Sequence, residues 1–326
     1  MANQIRWGVI STARIGRVRV IPAIQQSSNG RVVAIASRNL ETAQAVAGEL
    51  NIPTAYGSYE ALLNDPNVDA IYNPLPNSEH AEWSIRCAEA GKPTLCEKPL
   101  ARDATEAQQM VDAFAQRDVP FTEAFMYRFH PQTIKVRELL AEGRIGDIHL
   151  LNSSFTFTLT YENNIRLNKD LAGGALMDVG CYCVNVMRLL TGEEPNRVQG
   201  FANFGAKSGV DESLVGLLQF PSGVLGHFDC GLRSYRMNGY EIRGSAGRLW
   251  VEEAFTMRPG SEYTIKLWQG ETYQEFRTAP VDHHQLMAED FADALLNNRP
   301  QRFPAQDAVA NMRVIDQLLA SARQHA

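Results

Sequence analysis

Long uninterrupted apolar runs are missing from this chain of 326 residues, and none approaches the ~18 that a membrane-spanning helix requires. A membrane partner is therefore not expected. Positive charge is not in excess either, since 31 Lys and Arg against 37 Asp and Glu leave a net charge of −6. Neutralising phosphates takes clustered basic residues, so a nucleic-acid partner is not expected. Cysteine is sparse. The five (Cys87, Cys96, Cys181, Cys183 and Cys230) are scattered and form no C-x-x-C pair, which points to buried reduced thiols and not to a disulfide framework. No His or Cys cluster lies beside Cys181 and Cys183 in sequence, so no metal site is expected. The opening MANQIRWGVIS lacks the basic region, long apolar stretch and cleavage site of a secretory signal, and a cytoplasmic location is expected. Repeats and low-complexity tracts are absent as well.

What is present is a composition of 44% hydrophobic and 21% charged residues, ordinary for a globular protein, in a chain longer than one typical domain. Two domains are expected. Residues 5–11 and 31–37 are short apolar runs separated by a helical pattern (Ile15, Val18, Ile21, Ile24), which is the layout of a β-α-β unit. The alternation continues with helices over 40–50, 58–64, 78–90 and 104–116, and strands near 55–56, 68–74, 93–97 and 120–125. This predicts an α/β fold whose first domain, residues 1–125, is a doubly wound parallel sheet of the Rossmann type covered on both faces. From 126 to 326 the rhythm changes: a helix over 131–142, an alternating strand over 147–159, and a helix from about Asp178 to Leu190. Seven short strands follow between 197 and 277, joined by turns such as Pro221-Ser222-Gly223, before closing helices over 284–297 and 305–323. They read as an antiparallel meander, giving a second, α+β domain with a large, mostly antiparallel open sheet.

The first strand-to-helix turn is Ser11-Thr12-Ala13-Arg14-Ile15-Gly16, where a dinucleotide fold normally carries G-x-G-x-x-G, and only the third glycine is kept. Ser and Ala are the smallest substitutes, and pyrophosphate is bound mainly by backbone N–H groups at the helix start. Taken alone the loop is equally compatible with a β-α turn that binds no nucleotide. The second strand ends in Ser37-Arg38-Asn39 in place of the Asp or Glu that binds an NAD ribose. A hydroxyl and a guanidinium suit a 2′-phosphate, so NADP(H) is the expected cofactor. Strand 93–97 runs into Glu97-Lys98-Pro99, putting a lysine at the carboxyl end of a parallel strand, and Pro99 biases Lys98 toward an extended backbone.

With these residues the chain resembles the glucose-fructose oxidoreductase and inositol dehydrogenase family (Gfo/Idh/MocA) over nearly its whole length. The resemblance is carried by Glu97-Lys98-Pro99, by 74–80 (PLPNSEH), by 124–131 (AFMYRFHP) and by 173–182 (GGALMDVGCY). It is strongest to the NADP-dependent branch of dimeric dihydrodiol dehydrogenases and D-xylose 1-dehydrogenases, which similarly carry Tyr where inositol dehydrogenases have His. The resemblance implies that Ser11, Thr12, Ala13, Arg14 and Ile15 line the pyrophosphate and that Ser37 and Arg38 take the 2′-phosphate. Leu75, Pro76, Asn77 and His80 would flank the nicotinamide ribose, and Glu97, Lys98 and Arg128 would complete the cofactor pocket. The loss of two motif glycines is the main departure from the wider family.

Asp178 and Tyr182 stand four apart on the predicted helix with Asn185 next on the same stripe, while Val179, Cys183, Val186, Met187 and Leu190 supply apolar packing. Hydride transfer from an alcohol needs a group to accept the hydroxyl proton. Tyr182 is the candidate, Lys98 the cation that lowers its pKa, and Asp178 a group that binds a substrate hydroxyl or orients the pair. By resemblance this helix faces Lys98. Arg166, in the loop before Gly173-Gly174, has polar reach toward substrate, with Phe155, Phe157 and Tyr161 near it in sequence. His283-His284 reads as a surface pair preceding a helix. The expected activity is that of an NADP-dependent dehydrogenase or reductase acting on a sugar, polyol or diol. A non-catalytic NADP(H)-binding sensor of the same fold is the alternative. The apolar face of 147–159 (Phe155, Phe157, Leu159) needs a cover, from the chain's own helices or from another subunit. By resemblance a homodimer or homotetramer forms through the second sheet.

Overall fold

The computed structural model describes residues 4–324. Its contacts divide the chain into two compact units: residues up to Met126 with His283–Val309, and Tyr127–Asp282 with residues from Ala310 on. The first unit holds six parallel strands, β1 (Ile5–Ile10), β2 (Gly30–Ala36), β3 (Thr54–Tyr56), β4 (Ala70–Asn73), β5 (Thr94–Cys96) and β6 (Phe121–Glu123), in the order β3-β2-β1-β4-β5-β6. Helices α1 (Ile21–Gln26), α2 (Leu40–Glu49), α3 (Tyr59–Leu63), α4 (His80–Glu89) and α5 (Ala104–Ala115) alternate with them. Residues of β1 and β4 are buried almost throughout, as a parallel sheet covered on two faces requires. Side-chain caps set three helix starts: Asn39, Ser58 and Asp103 accept the N–H of Thr42, Ala61 and Glu106, respectively.

The second unit contains α6 (Pro131–Ala141), α7 (Cys181–Thr191) and an eight-stranded sheet. Its strands are β7 (Ile148–Thr158), β8 (Arg197–Phe204), β9 (Asp211–Gln219), β10 (Leu225–Gly231), β11 (Arg233–Gly244), β12 (Arg248–Val251), β13 (Tyr263–Gln269) and β14 (Thr272–Thr278). The order is β14-β13-β12-β11-β7-β10-β9-β8, so the expected meander is interrupted. The first strand, β7, lies in the middle, parallel to β10 on one side and antiparallel to β11 on the other. The chain passes from β10 to β11 at Leu232, and a register shift between Arg233 and Met237 then interrupts the pairing of β11 with β7.

One face of this sheet, carrying Ser153, Phe155, Tyr240 and Ile242, is buried, with Phe155 against Tyr182. The cover of Phe155 is thus the chain's own helix. Apolar residues left exposed lie on the opposite face: Val215, Leu217 and Leu225. Helix α8 (His283–Leu296) returns to the first unit, where Phe291 lies 5.3 Å from the buried Trp7. His283 and His284 open that helix and are both buried, their rings 4.5 Å apart, which corrects the reading of a surface pair: the helix start is packed, not solvated. The last helix, α9 (Ala305–Gln324), begins among residues of the first unit and ends among those of the second. Among the described residues no helix is long and apolar enough to cross a membrane. The five cysteines are free and buried.

Candidate active site

The loop after β1 keeps the backbone shape that its missing glycine would have given. Ser11 has φ 76°, a left-handed conformation that side chains rarely adopt, and its Oγ accepts the Ala13 N–H at 3.2 Å. The helix behind it starts with a wide turn, Gly16–Val20, closed by a bond from the Ile21 N–H to the Gly16 carbonyl five residues back. The first N–H groups of a helix have no partner within it, so this loop presents donors to an anion. At the end of β2, Ser37 is half-buried and Arg38 is 77% exposed, with its Nη1 3.9 Å from Glu79. A guanidinium held this loosely is available to a phosphate.

Two loops at the carboxyl ends of β4 and β5 are tied together. His80 is wholly buried, its Nε2 2.7 Å from the Leu75 carbonyl and its Nδ1 3.0 Å from the Pro99 carbonyl. A neutral imidazole can donate to only one of them. Burial outweighs the carbonyls and pushes the His80 pKa down to about 4. Glu97 is fixed on both oxygens, accepting the Tyr72 hydroxyl at 2.7 Å and the Lys98 N–H at 3.3 Å. Lys98 itself is half-buried, as are Pro76 and Asn77, while Leu75 is buried.

In the second unit Asp178, Tyr182 and Asn185 follow one another along one helix. The helix runs from a wide turn, Leu176–Gly180, into α7, with the Cys181 N–H bonded to the Leu176 carbonyl five residues back. Asp178 pairs with Arg166, Nε to Oδ2 at 2.6 Å, and the guanidinium lies 5.9 Å from the centre of the Phe157 ring. The Asp178 charge, with a smaller contribution from Tyr182, holds Arg166 above the usual arginine range. Tyr182 is 3% exposed and walled by aromatic rings: Tyr127 at 5.9 Å, Phe155 at 5.5 Å and Phe255 at 5.5 Å. Asn185 is not solvated but accepts the Tyr127 hydroxyl at 2.6 Å. The structure therefore gathers Arg166, Asp178 and Tyr182 around one helix start.

Residues 5–125 match the oxidoreductase family with an NAD-binding Rossmann fold, and residues 133–250 match the GFO/IDH/MocA C-terminal domain. The chain is 39% identical to the D-xylose 1-dehydrogenase (NADP(+)) 2 of Haloferax volcanii, over 97% of each chain. The chain belongs to the Gfo/Idh/MocA family. It is also 35% identical to the trans-1,2-dihydrobenzene-1,2-diol dehydrogenase of Mus musculus, over 76% of this chain and 75% of that one. Among solved structures, a 3-ketoreductase from Actinomadura kijaniata in complex with TDP-benzene and NADP superposes with a TM-score of 0.90, at 31% identity and 98% coverage of both chains.

Within this Gfo/Idh/MocA fold the expected residues fall into two groups. Ser11, Thr12, Ala13, Arg14, Ile15, Ser37, Arg38, Leu75, Pro76, Asn77, His80, Glu97 and Lys98 lie in the first unit, and Arg128, Arg166, Asp178 and Tyr182 in the second. Arg14 is exposed, whereas Arg128 is buried. Tyr161 is exposed and Phe157 half-buried beneath Arg166. Sequence reasoning missed Phe255, which sits in a loop after β12 with no periodic signature and closes the aromatic wall around Tyr182. Asn39, which follows Ser37-Arg38 after β2, caps α2 by accepting the Thr42 N–H at 2.9 Å. Among the described residues no group of three or more His, Cys, Asp or Glu is placed to hold a metal ion.

Proposed function

We propose that this chain moves a hydride between NADP(H) and the CH–OH or C=O group of a sugar, polyol or diol, with Tyr182 handling the proton. The observation that carries this is the enclosure of Tyr182 by three aromatic rings beside the Arg166–Asp178 pair on the same helix start. When bound, the nicotinamide supplies the hydride acceptor or donor. Oxidation of an alcohol then leaves one proton for the protein to take. An unperturbed phenol, with a pKa near ~10, is a poor acceptor at neutral pH, and nearby cations favour its phenolate. Lys98 is the cation that serves here, as the family resemblance supports, since the Arg166 charge is already paired with Asp178 at 2.6 Å. Asp178 and Arg166 present an acceptor and donors to substrate hydroxyls, and three aromatic rings flank the Tyr182 ring.

Ser11 to Ile15 hold the pyrophosphate on the helix start, where the left-handed Ser11 backbone fits such a loop. Ser37 and Arg38 take the 2′-phosphate. Leu75, Pro76, Asn77, Glu97 and Arg128 shape the nicotinamide side, and His80 serves by holding the two loops that carry Leu75 and Lys98. The first unit is thus the cofactor-binding part and the second the substrate-binding part. The exposed Val215, Leu217 and Leu225 on the open sheet face support assembly with further copies of the chain. The buried free thiols suit the reducing cytoplasm.

The test is kinetic. Tyr182→Phe and Lys98→Met are each expected to keep NADPH binding, read by fluorescence, while turnover on the best sugar or diol falls about 10²–10⁴-fold. Near-normal rates for both variants remove these residues from the chemistry. Silence of the parent protein toward sugars and diols, together with tight NADP(H) binding, would identify a sensor.

A further inference from the structure

Asp211 opens β9, is 3% exposed and grips the start of the helix that carries Asp178 and Tyr182. Its Oδ2 accepts the Leu176 N–H at 2.7 Å. Its Oδ1 stands so close to Gly174 that a Cβ there would overlap it, and Gly174 has φ +126°, which side chains avoid. Leu176 is thereby engaged at both ends. Its N–H goes to Asp211, and its carbonyl takes the Cys181 N–H in the bond that widens the turn between Asp178 and Tyr182. That wide turn sets the angle between the two side chains differently from a plain α-helix.

The same clamp reaches the Arg166 loop. The Gly174 N–H donates to the Arg166 carbonyl at 2.8 Å, and a Cβ on Gly173 would overlap that same oxygen. Gly173 and Gly174 are thus small for two different neighbours, the loop on one side and Asp211 on the other. Burial pushes the Asp211 pKa up to about 6, against the pull of the Leu176 and Ala175 N–H groups and of Arg323 on α9. A carboxylate is costly to bury, and this one contacts backbone whose conformation matters to the site.

We propose that Asp211 is a positioning residue for the reaction: by clamping Gly174 and Leu176 it sets the wide turn that aims Asp178 and Tyr182 and seats the Arg166 loop. The proposal rests on the role given above to Tyr182. A misplacement of about 1 Å at a reacting group costs on the order of 10²-fold in rate, so the effect belongs in kcat.

The experiment compares Asp211→Ala, Asp211→Asn and Asp211→Glu in the full chain, with folding checked by circular dichroism and kinetics run at saturating NADP(H). Asp211→Ala is expected to lower kcat about 10²-fold with KM for NADP(H) changed less than about 2-fold. Asp211→Asn, which keeps an acceptor for the Leu176 N–H, recovers most of that loss. Asp211→Glu, one methylene longer, lowers kcat about 10-fold and keeps the reading available should Asp211→Ala not fold. In the Tyr182→Phe background, Asp211→Ala costs clearly less than in the parent chain, because part of its effect acts through Tyr182. A folded Asp211→Ala with kcat near the parent value overturns the proposal, as does an Asp211→Glu with unchanged kcat, or losses that multiply in the double variant. If Tyr182→Phe alone were fully active, the Tyr182 reading would fail first; an inactive Tyr182→Phe with normal Asp211 variants sinks only the present proposal.

Discussion

In the function proposed above, Arg38 and Ser37 carry the choice between the two nicotinamide cofactors. The Arg38 guanidinium is 77% exposed and lies 3.9 Å from Glu79, and a pair of that length with so exposed a cation contributes little, which leaves the charge for the proposed phosphate. Replacing Ser37→Asp together with Arg38→Ala is expected to shift the NADP over NAD preference toward NAD by about 10²-fold in kcat/KM. An unchanged preference ratio would show that the 2′-phosphate is held elsewhere. Residues of this kind are legible in a sequence because their place is fixed by a strand end. Asp178 and Tyr182 are legible for a similar reason, their spacing of four on one helix. Phe255 and Asp211 are not: each reaches the helix from a distant loop or strand, and nothing in the sequence around them says what they will touch. Ser11 stands between these cases. Its sequence says that a glycine is missing, and only its φ of 76° says that the glycine's conformation is kept.

At the scale of elements, strand and helix order is readable almost throughout, since the apolar runs of β1, β2 and β4 and the apolar stripe of α5 agree with their burial. Neighbour relations in the second sheet are not. Turn signals between β8 and β10 and between β11 and β14 imply hairpins, but nothing local tells β7 to lie between β10 and β11. The wide turns at Gly16–Val20 and Leu176–Gly180 were likewise read as ordinary helix. Both begin helices to which a function is assigned here, a place where such turns recur. His80 joins the loops of β4 and β5, and its sensitivity to acid follows from its burial. The unfolded chain takes up the histidine proton near pH ~6.5, the folded one only near about 4, so protons favour unfolding between those values. Stability contributed by neutral His80 is full above pH ~6.5 and falls as pH drops toward about 4, by roughly 3 kcal/mol. Urea unfolding across this range should show a flatter pH dependence for His80→Gln than for the parent chain. His130, also pushed down to about 4 by burial, and Asp211, pushed up to about 6, act in both proteins and cancel in the difference. Parallel curves for the two proteins would mean that His80 is already charged in the fold.

For the whole molecule, the assembly proposed above turns on one face of the eight-stranded sheet. Val215, Leu217 and Leu225 lie on one side of β9 and β10, each close to half exposed, and water is a poor neighbour for a patch of this kind. Light scattering at micromolar concentration is expected to give the mass of two or four chains, and Leu217→Glu with Leu225→Glu to give a lighter particle. A parent chain that runs as a monomer would remove the assembly role of this face.

Another consequence follows from Phe291 lying against Trp7. On the ribosome Trp7 emerges early, while its covering helix appears only after every strand of the second sheet has been made. Until α8 is made, the first sheet lacks the Phe291 ring against Trp7 and leaves one apolar patch without that cover. A nascent chain stalled before His283 would present that patch to chaperones, however well its β-α alternation had already formed.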